Sequence, residues 1–200
     1  GAVGSSINQL TAYSFDSTAT REIQINQTYA SFASGDFTGD GSDELILLTL
    51  PSAEAKPMAT LLDWNYDSSA LFSRGVTALD PNISKYLDVS SQKISDDCTA
   101  LIAEGATAVG TYATQVIVFD KDNETLKNDL YSQTTQNVTL RDTPVVAQDI
   151  NGDGIYEIVT SSKMKSEENE DAATVASETV WNRYSAKTAS LERVTAAVID

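Results

Sequence analysis

The chain carries the stretch Asp36-Phe-Thr-Gly-Asp-Gly-Ser-Asp-Glu44, followed directly by the apolar run Leu45-Ile-Leu-Leu48. The same arrangement returns at Asp149-Ile-Asn-Gly-Asp-Gly-Ile-Tyr-Glu157, followed by Ile158-Val159. Both stretches place oxygen-bearing side chains at positions 1, 3, 5 and 9, and a glycine at position 6. Side chains at alternate positions of a tight loop can converge on one point, and glycine readily adopts the positive φ that such loops need. The pattern therefore predicts a loop that gathers oxygen ligands for a hard divalent cation such as Ca²⁺.

Two other kinds of loop share part of this pattern. An EF-hand or dockerin loop needs an acidic ligand at position 12 and a helix after it. Position 12 is Leu47 in the first stretch and Thr160 in the second, and both sequences continue as β-formers. The remaining alternative is an ordinary turn rich in Asp and Gly that binds no metal, and the two copies with matching flanks argue against it.

The charge balance excludes several classes of partner and of chemistry. The formal net charge is −16 and the chain has no histidine. An acidic surface repels nucleic acid and anionic membranes but attracts divalent cations. Without histidine, neither a Ser-His-Asp triad nor a His-ligated zinc site can form. Cys98 is the single cysteine, and no apolar stretch is long enough for membrane insertion.

Short β-like segments recur along the chain at a fixed interval. An aromatic residue followed by Asp or Ser marks each predicted hairpin tip: Phe15-Asp16, Tyr66-Asp67, Phe119-Asp120 and Tyr184-Ser185. The strands expected to enter the acidic loops begin at Tyr29, Tyr86 and Thr143, which are 57 residues apart. A fixed period of this length indicates a repeat architecture. Four short strands per repeat and no convincing helix predict an all-β fold of β-propeller-like blades.

The period divides the chain into one repeat domain, 1–200. Its predicted units are 9–50, 59–107, 115–163 and the incomplete 178–200, with an exposed acidic insertion at 163–177. This amounts to about three and a half units, whereas a closed propeller of six to eight blades needs roughly 350–450 residues. We therefore expect either a fragment of a larger propeller or self-association through open blade edges.

The two acidic loops resemble the calcium loops of FG-GAP (VCBS-type) repeats, which occur in integrin α-chain propellers and in many bacterial surface proteins. The resemblance implies blades with Ca²⁺ bound in the loop between two strands, and so two calcium sites. The implied side-chain ligands are Asp36, Thr38, Asp40 and Glu44 in the first loop and Asp149, Asn151, Asp153 and Glu157 in the second, with backbone carbonyls from Ser42 and Ile155. Thr38 is a neutral ligand, and Glu stands at position 9 where the family usually has Asp.

The middle repeat has a degenerate version of the loop. Lys93-Ile-Ser-Asp-Asp-Cys98 stands at the corresponding place, with Lys93 at the position of the first carboxylate and without the glycine. An ammonium group there would occupy the charge site itself. The sequence predicts that this repeat binds no metal.

Three functions are compatible with these features. The first is a non-catalytic, calcium-stabilised binding or adhesion module for a protein or glycan, located outside the cytoplasm where Ca²⁺ is millimolar. The second is a propeller enzyme, a lyase or hydrolase acting on polysaccharide, although the sequence singles out no catalytic residue and no organic cofactor site. The third is a structural spacer in a larger surface protein. The resemblance and the lack of disulfides indicate a bacterial secreted or lipid-anchored protein.

Overall fold

The structure is a computed structural model that describes residues 7–13, 20–53, 55–65, 70–108, 112–133, 138–140, 146–149, 152–154, 156–164, 176–185 and 190–193. Within these ranges the chain forms strands, turns and loops and no helix, so the expected all-β class is confirmed. Several predicted features lie outside the described residues. They are the hairpin tips at 15–16 and 66–67, the start of the third entry strand at Thr143, and most of the insertion at 163–177.

The described strands form four antiparallel sheets. The first sheet pairs β1 (Ile7–Tyr13) with β2 (Thr20–Tyr29). The second contains, in order, β3 (Ser31–Gly35), β4 (Glu44–Leu48), β5 (Met58–Asn65) and β6 (Ala70–Ala78). The third contains β7 (Ile83–Ser95), β8 (Cys98–Thr107), β9 (Tyr112–Asp120) and β10 (Thr125–Gln133). The fourth contains β11 (Val138–Leu140), β12 (Val146–Gln148), β13 (Glu157–Met164), β14 (Ala176–Ser185) and β15 (Ser190–Arg193), with β11 and β12 both paired to β13.

The sheets group the strands differently from the predicted repeat units. Each predicted unit is a hairpin followed by an acidic loop, so the boundary between units 9–50 and 59–107 falls between β4 and β5. In the structure β4 pairs directly with β5, with Leu45 opposite Leu62 and Leu48 opposite Ala59. Each loop-bearing strand pair therefore joins the hairpin that follows it, and after β4 the chain folds back along that strand through the connection 49–57. The number and limits of the domains stay predictions.

The third sheet is buried on both faces. Side chains alternate along a strand, so β8 and β9 contribute to two separate apolar clusters. One cluster joins the second and third sheets and includes Ile46, Leu61, Leu101 and Ile117. The other joins the third and fourth sheets and includes Ala100, Ile102, Val116 and Ile158. Burial of Ile46, Leu47 and Leu48 at 0% exposure agrees with the continuous apolar run after the first acidic loop.

The second, third and fourth sheets pack in succession with corresponding strands side by side. Strand β3 contacts β7 and β6 contacts β10, and in the next pair β7 contacts β12 and β10 contacts β15. At Gly75 in β6, a Cβ atom would lie 3.3 Å from the backbone nitrogen of Leu126 in β10. Next to this contact, Asn128 Nδ2 donates a hydrogen bond to the carbonyl oxygen of Ala78 over 3.0 Å. The last strands of the second and third sheets, β6 and β10, therefore lie so close that there is no room for a larger side chain at Gly75.

Candidate metal centre

The two acidic loops occupy equivalent places in their sheets. Loop 36–44 connects β3 to β4, and Gly35 lies opposite Glu44 in the ladder. Loop 149–157 connects β12 to β13, and Gln148 lies opposite Glu157. In both loops the glutamate at position 9 thus pairs with the residue that precedes position 1. This pairing closes the base of each loop, so that the carboxylates at positions 1 and 9 lie at the same end of the strand pair.

Asp36 organises the first loop by accepting backbone hydrogen bonds. Its Oδ1 accepts the N–H groups of Gly39 at 2.6 Å and Asp40 at 3.1 Å, and its Oδ2 accepts the N–H of Gly41 at 3.1 Å. Three consecutive N–H groups therefore point toward one carboxylate. An ionised carboxylate makes stronger hydrogen bonds than a neutral acceptor, so Asp36 fixes the curvature of the loop.

Asp149 does the same in the second loop. Its Oδ1 accepts the N–H groups of Gly152 at 2.7 Å and Asp153 at 3.1 Å, and its Oδ2 accepts the N–H of Gly154 at 2.9 Å. These donors stand at positions 4, 5 and 6, as they do in the first loop. The two loops, 113 residues apart in the chain, share one backbone arrangement at these positions.

Each loop contains two glycines in the left-handed region. Gly39 and Gly41 have φ values of 71° and 90°, and Gly152 and Gly154 have 75° and 82°. Residues with a Cβ adopt these values only at a cost. Only the glycine at position 6 was predicted from the sequence to have a positive φ; the one at position 4 has it as well. The signal was present, because Gly-Asp-Gly occurs in both stretches.

Glu44 is the buried member of the first loop, with 2% of its surface exposed. Its Oε2 accepts the backbone N–H groups of Phe37 at 2.8 Å and Thr38 at 2.9 Å. Its Oε1 accepts the hydroxyl of Thr38 at 2.9 Å. Burial raises the pKa of the Glu44 carboxyl, although the hydrogen bonds from Thr38 and Phe37 oppose that shift.

Carboxylate oxygens of Asp36, Asp40 and Glu44 lie within 4.8 Å of one another. A carboxylate offers about four acceptor directions. Asp36 uses two on Oδ1 and one on Oδ2, and Glu44 uses two on Oε2 and one on Oε1. Asp36 and Glu44 each keep one acceptor direction that could bind a cation. Asp40 Oδ1 accepts the N–H of Ser42. An all-oxygen set of this kind fits a hard divalent cation, and three carboxylates this close repel one another unless a positive charge balances them.

The predicted ligands of the first loop are thus partly brought together. Asp36, Asp40 and Glu44 converge, and Thr38 is bound to Glu44. Ser42 is exposed, and ligation by its carbonyl stays a prediction.

In the second loop Glu157 is buried, with 1% of its surface exposed, as Glu44 is in the first loop. Asp149 repeats the hydrogen bonds of Asp36. The predicted ligands Asn151 and Ile155 lie outside the described residues.

Arg74 lies next to the first loop and was not identified from the sequence. Its Nη1 is 2.9 Å from Oδ2 of Asp63 and 3.8 Å from Oδ2 of Asp40. The guanidinium carbon stands 5.4 Å from the centre of the Phe119 ring in the third sheet. No local pattern could reveal these contacts, because they depend on how β5 and β6 line up beside the loop in the second sheet and on how Arg74 meets the third sheet.

Two residues from the turns of the third sheet also reach the acidic loops. Lys121 donates from Nζ to the carbonyl oxygen of Asp97 over 3.0 Å, and a Cβ on Gly39 would clash with that Nζ. On the other side, Oδ2 of Asp96 would lie 3.9 Å from a Cβ on Gly154. The ammonium therefore packs against the first loop and a carboxylate faces the second.

The degenerate segment at 93–98 forms no long loop. Strand β7 continues to Ser95, residues Asp96 and Asp97 turn, and β8 begins at Cys98. Lys93 is exposed and lies opposite Thr99 in the ladder. The side chain that was expected to occupy the charge site thus belongs to a regular hairpin, because the missing residues leave too little chain for a loop. The absence of a metal from this repeat stays a prediction.

The described residues contain no helix that could span a membrane. Comparison with models of protein families and with curated proteins found no match for the chain.

Proposed function

We propose that this chain is a calcium-stabilised β-repeat module of the FG-GAP (VCBS-type) kind, which acts outside the cytoplasm by binding a protein or a glycan. The observation that carries the proposal is the convergence of Asp36, Asp40 and Glu44 within 4.8 Å in a loop closed by two antiparallel strands. The matching hydrogen bonds of Asp149 support a second site of the same design.

The proposed role of calcium is structural. A divalent cation at each loop would balance carboxylates that otherwise repel one another. It would also fix the strand that follows each loop, β4 after the first and β13 after the second. Those strands carry the apolar residues Ile46, Leu48 and Ile158 into the two core clusters. Holding the loops therefore holds the strands that join neighbouring sheets.

The proposed architecture is a partial β-propeller in which the second, third and fourth sheets are blades. Its support is the packing of β3 on β7 and of β7 on β12 along one side of the sheets, and of β6 on β10 and of β10 on β15 along the other side. Blades bury their faces against neighbours in this manner. Open faces at both ends would then associate with further blades of a longer chain or with a second copy.

The proposed location outside the cytoplasm follows from the calcium affinity that we expect for such loops. Extracellular calcium modules bind at roughly 10⁻⁴–10⁻³ M, which is useful where Ca²⁺ is millimolar. At such concentrations each site adds on the order of 1 kcal/mol to the free energy of unfolding. A bacterial secreted or lipid-anchored protein would meet these conditions, and its acidic surface suits partners other than nucleic acid.

Thermal unfolding with and without Ca²⁺ tests the structural role. Two sites that contribute about 2 kcal/mol together should raise the Tm of this chain by about 4–8 °C between EDTA and millimolar Ca²⁺. Asp36→Asn and Asp149→Asn should each remove about half of that shift. Asp122→Asn, in the exposed turn 121–124, is the matched control and should keep all of it. An equal Tm in EDTA and Ca²⁺ would reject the proposal.

Ligand binding needs a separate measurement. Binding to glycan arrays and capture of surface proteins should be compared in Ca²⁺ and in EDTA, with the double variant Asp36→Asn, Asp149→Asn as control. If either glycans or surface proteins bind in Ca²⁺ but not in EDTA, that class of molecule is the partner. Cleavage of a polysaccharide would replace the binding role by the enzymatic one, and the lack of any binding would favour the spacer.

A further inference from the structure

The end of the hairpin formed by β7 and β8 lies between the two acidic loops. We call residues 91–99 the hairpin end; they comprise the last part of β7, the turn at Asp96 and Asp97, and the first residues of β8. Strand β7 contacts β3, which leads into the first loop, and β12, which leads into the second. The hairpin end is therefore placed to contact the base of both loops.

On the side of the second sheet, the hairpin end packs against Gly35, the last residue of β3 before the first loop. A Cβ atom at Gly35 would lie 3.1 Å from Cβ of Ser91, closer than the roughly 3.5–4.0 Å at which carbon atoms pack. The same Cβ would lie 3.4 Å from Cγ2 of Thr99. The backbone at the base of the first loop thus fits against the hairpin end with no space left for a side chain.

Lys121 adds a second link between the hairpin end and the first loop. Its Nζ donates to the carbonyl oxygen of Asp97 over 3.0 Å and packs against Gly39. Gly39 in turn donates its N–H to Asp36 over 2.6 Å. The hairpin end is thus linked to the base of the first loop and to its position 4.

On the side of the fourth sheet, the hairpin end is joined to the second loop by hydrogen bonds. The N–H of Tyr156, at position 8 of that loop, donates to the carbonyl oxygen of Ile94 over 2.9 Å. The N–H of Ala147, in the strand that enters the loop, donates to Oε1 of Gln92. Ile94 and Ile158 also belong to one buried apolar cluster. Both strands that flank the second loop are therefore positioned by β7.

The lack of a long loop in the middle repeat makes these contacts possible. Strand β3 ends at Gly35 beside Ser91, whereas β7 continues past Ser91 to Ser95. Gln92 and Ile94, which bind the fourth sheet, lie in this continuation. A loop that began at the level of Ser91 would remove both contacts.

We propose that the hairpin end couples the two acidic loops, so that order in one loop favours order in the other and Ca²⁺ binding to the two is cooperative. The coupling of order concerns the chain without metal. The cooperative binding of Ca²⁺ rests on the proposed calcium function. The hairpin end is the element with two states, either docked against both loop bases or loosened from them.

The coupling follows from the shared contacts. Ordering loop 36–44 fixes Gly35, and the tight fit against Ser91 then restricts the hairpin end. A restricted hairpin end holds the carbonyl of Ile94 in place for the Tyr156 N–H, so the second loop loses less conformational entropy when it orders. The effect is reciprocal, because linked sites change one another's affinity by the same factor. We expect a factor of about three to five, at the low end for linked sites, because a single hairpin carries the coupling.

Amide hydrogen exchange followed by NMR in EDTA tests the coupling without metal. Asp36→Ala removes the acceptor of three N–H groups in the first loop and should loosen that loop. The amide of Tyr156, which lies in the other loop, should then exchange about three- to fivefold faster than in the wild type.

Two controls exclude other causes of faster exchange. Asp122→Asn removes one carboxylate charge from the exposed turn 121–124 and should leave the Tyr156 amide unchanged. Gly75→Val, on β6, lowers the stability of the second sheet without touching either loop, and it should also leave this amide unchanged. If Gly75→Val accelerated exchange at Tyr156 as much as Asp36→Ala does, loss of global stability would explain the effect and the coupling would be overturned.

Calcium titrations that resolve the two loops test the cooperative binding. Hydrogen exchange measured by mass spectrometry on peptides that cover each loop, at about 0.15 M salt to screen long-range charge effects, gives one Ca²⁺ midpoint per loop. Asp36→Asn should raise the midpoint of loop 149–157 about three- to fivefold, and Asp149→Asn should raise that of loop 36–44 by the same factor. The number of ions that each single variant binds at saturation stays one.

Variants of Gln92 test whether the hairpin end carries the coupling. Gln92→Ala removes the acceptor of the Ala147 N–H and leaves both loop sequences intact, so the effect of Asp36→Asn on the other loop should fall below about twofold. Gln92→Glu keeps an acceptor oxygen and should retain the coupling. Ser90→Ala removes only the hydrogen bond that Gln92 Nε2 donates to Ser90, and it should also retain the coupling.

The outcomes distinguish this inference from the calcium proposal. If Asp36→Ala accelerates exchange at Tyr156 in EDTA but neither loop binds Ca²⁺, the coupling stands and the calcium function fails. If both loops bind Ca²⁺ but each midpoint is the same in the wild type and in the single variant of the other loop, the calcium function stands and the cooperative binding is overturned. If the Tyr156 amide exchanges equally fast in the wild type and in Asp36→Ala, the coupling is overturned whatever Ca²⁺ does.

Discussion

Thr38 donates its hydroxyl hydrogen bond to Oε1 of Glu44 over 2.9 Å, and both residues are buried. Because the other oxygen of Glu44 accepts two backbone N–H groups, this carboxylate supports the loop independently of any metal. Glu44→Ala would leave those buried donors without a partner. We expect a loss of about 2–4 kcal/mol in the free energy of unfolding, measured by urea denaturation in EDTA.

Glu44→Gln is the matched variant. The remaining carbonyl oxygen of the amide can accept both backbone N–H groups, and its NH₂ can donate to the Thr38 hydroxyl. We expect a loss of less than about 1 kcal/mol in EDTA but a loss of the Ca²⁺ stabilisation of this loop. Equal losses for the Ala and Gln variants in EDTA would contradict the described hydrogen bonds.

Gly39→Ala and Gly41→Ala should differ in cost. Both residues have positive φ, so each substitution carries a conformational penalty of about 1–2 kcal/mol. A Cβ at Gly41 meets nothing within 4 Å, whereas one at Gly39 meets the Lys121 ammonium. The lysine can move aside by giving up its hydrogen bond to Asp97, so Gly39→Ala should be the more destabilising in chemical denaturation by no more than about 1 kcal/mol. Adding Lys121→Ala should remove that excess. An identical cost at the two sites would mean that Lys121 does not pack on the loop.

Glu124 is a non-glycine residue with a positive φ of 49°, at the end of the turn that joins β9 to β10. Glu124→Gly should raise the free energy of unfolding by about 0.5–1 kcal/mol, because relief of the left-handed strain exceeds the entropy that glycine adds to the unfolded chain. The measurement is the urea midpoint at constant m value, with Glu124→Ala expected to change little. A lower midpoint for the glycine variant would argue against this turn geometry.

The contact between Gly75 and Leu126 tests the packing of the second sheet on the third. A Cβ at Gly75 would lie 3.3 Å from both the Cβ and the backbone nitrogen of Leu126, so the sheets would have to separate slightly. Gly75→Val should cost about 1–3 kcal/mol by overpacking. Ser73→Ala, at an exposed position on the same strand, is the control and should cost less than about 0.5 kcal/mol. A neutral Gly75→Val would show that these sheets do not meet here.

The sequence was most informative where local chemistry decides the structure. The Asp-Gly pattern at 36–44 and 149–157 correctly predicted loops between strands. The Phe119-Asp120 signal correctly marked a strand end, since β9 ends at Asp120 and β10 begins at Thr125. In both cases a few neighbouring residues determine the turn, because glycine φ values and Asp side-chain hydrogen bonds act over three to five positions.

Features that depend on packing between sheets were not predictable in this way. The grouping of β4 with β5, rather than with the preceding hairpin, depends on which edge the chain folds back along. Arg74 and Lys121 approach the first loop from strands or turns more than 30 residues away in sequence. No periodicity encodes such contacts, which form only when two apolar faces are matched.

The stoichiometry of calcium binding tests the central claim most directly. Equilibrium dialysis at millimolar Ca²⁺ should find two ions per chain for the wild type, and one each for Asp36→Asn and Asp149→Asn. The double variant should bind none. A wild-type chain that binds no calcium under these conditions, or single variants that bind as much as the wild type, would contradict the account.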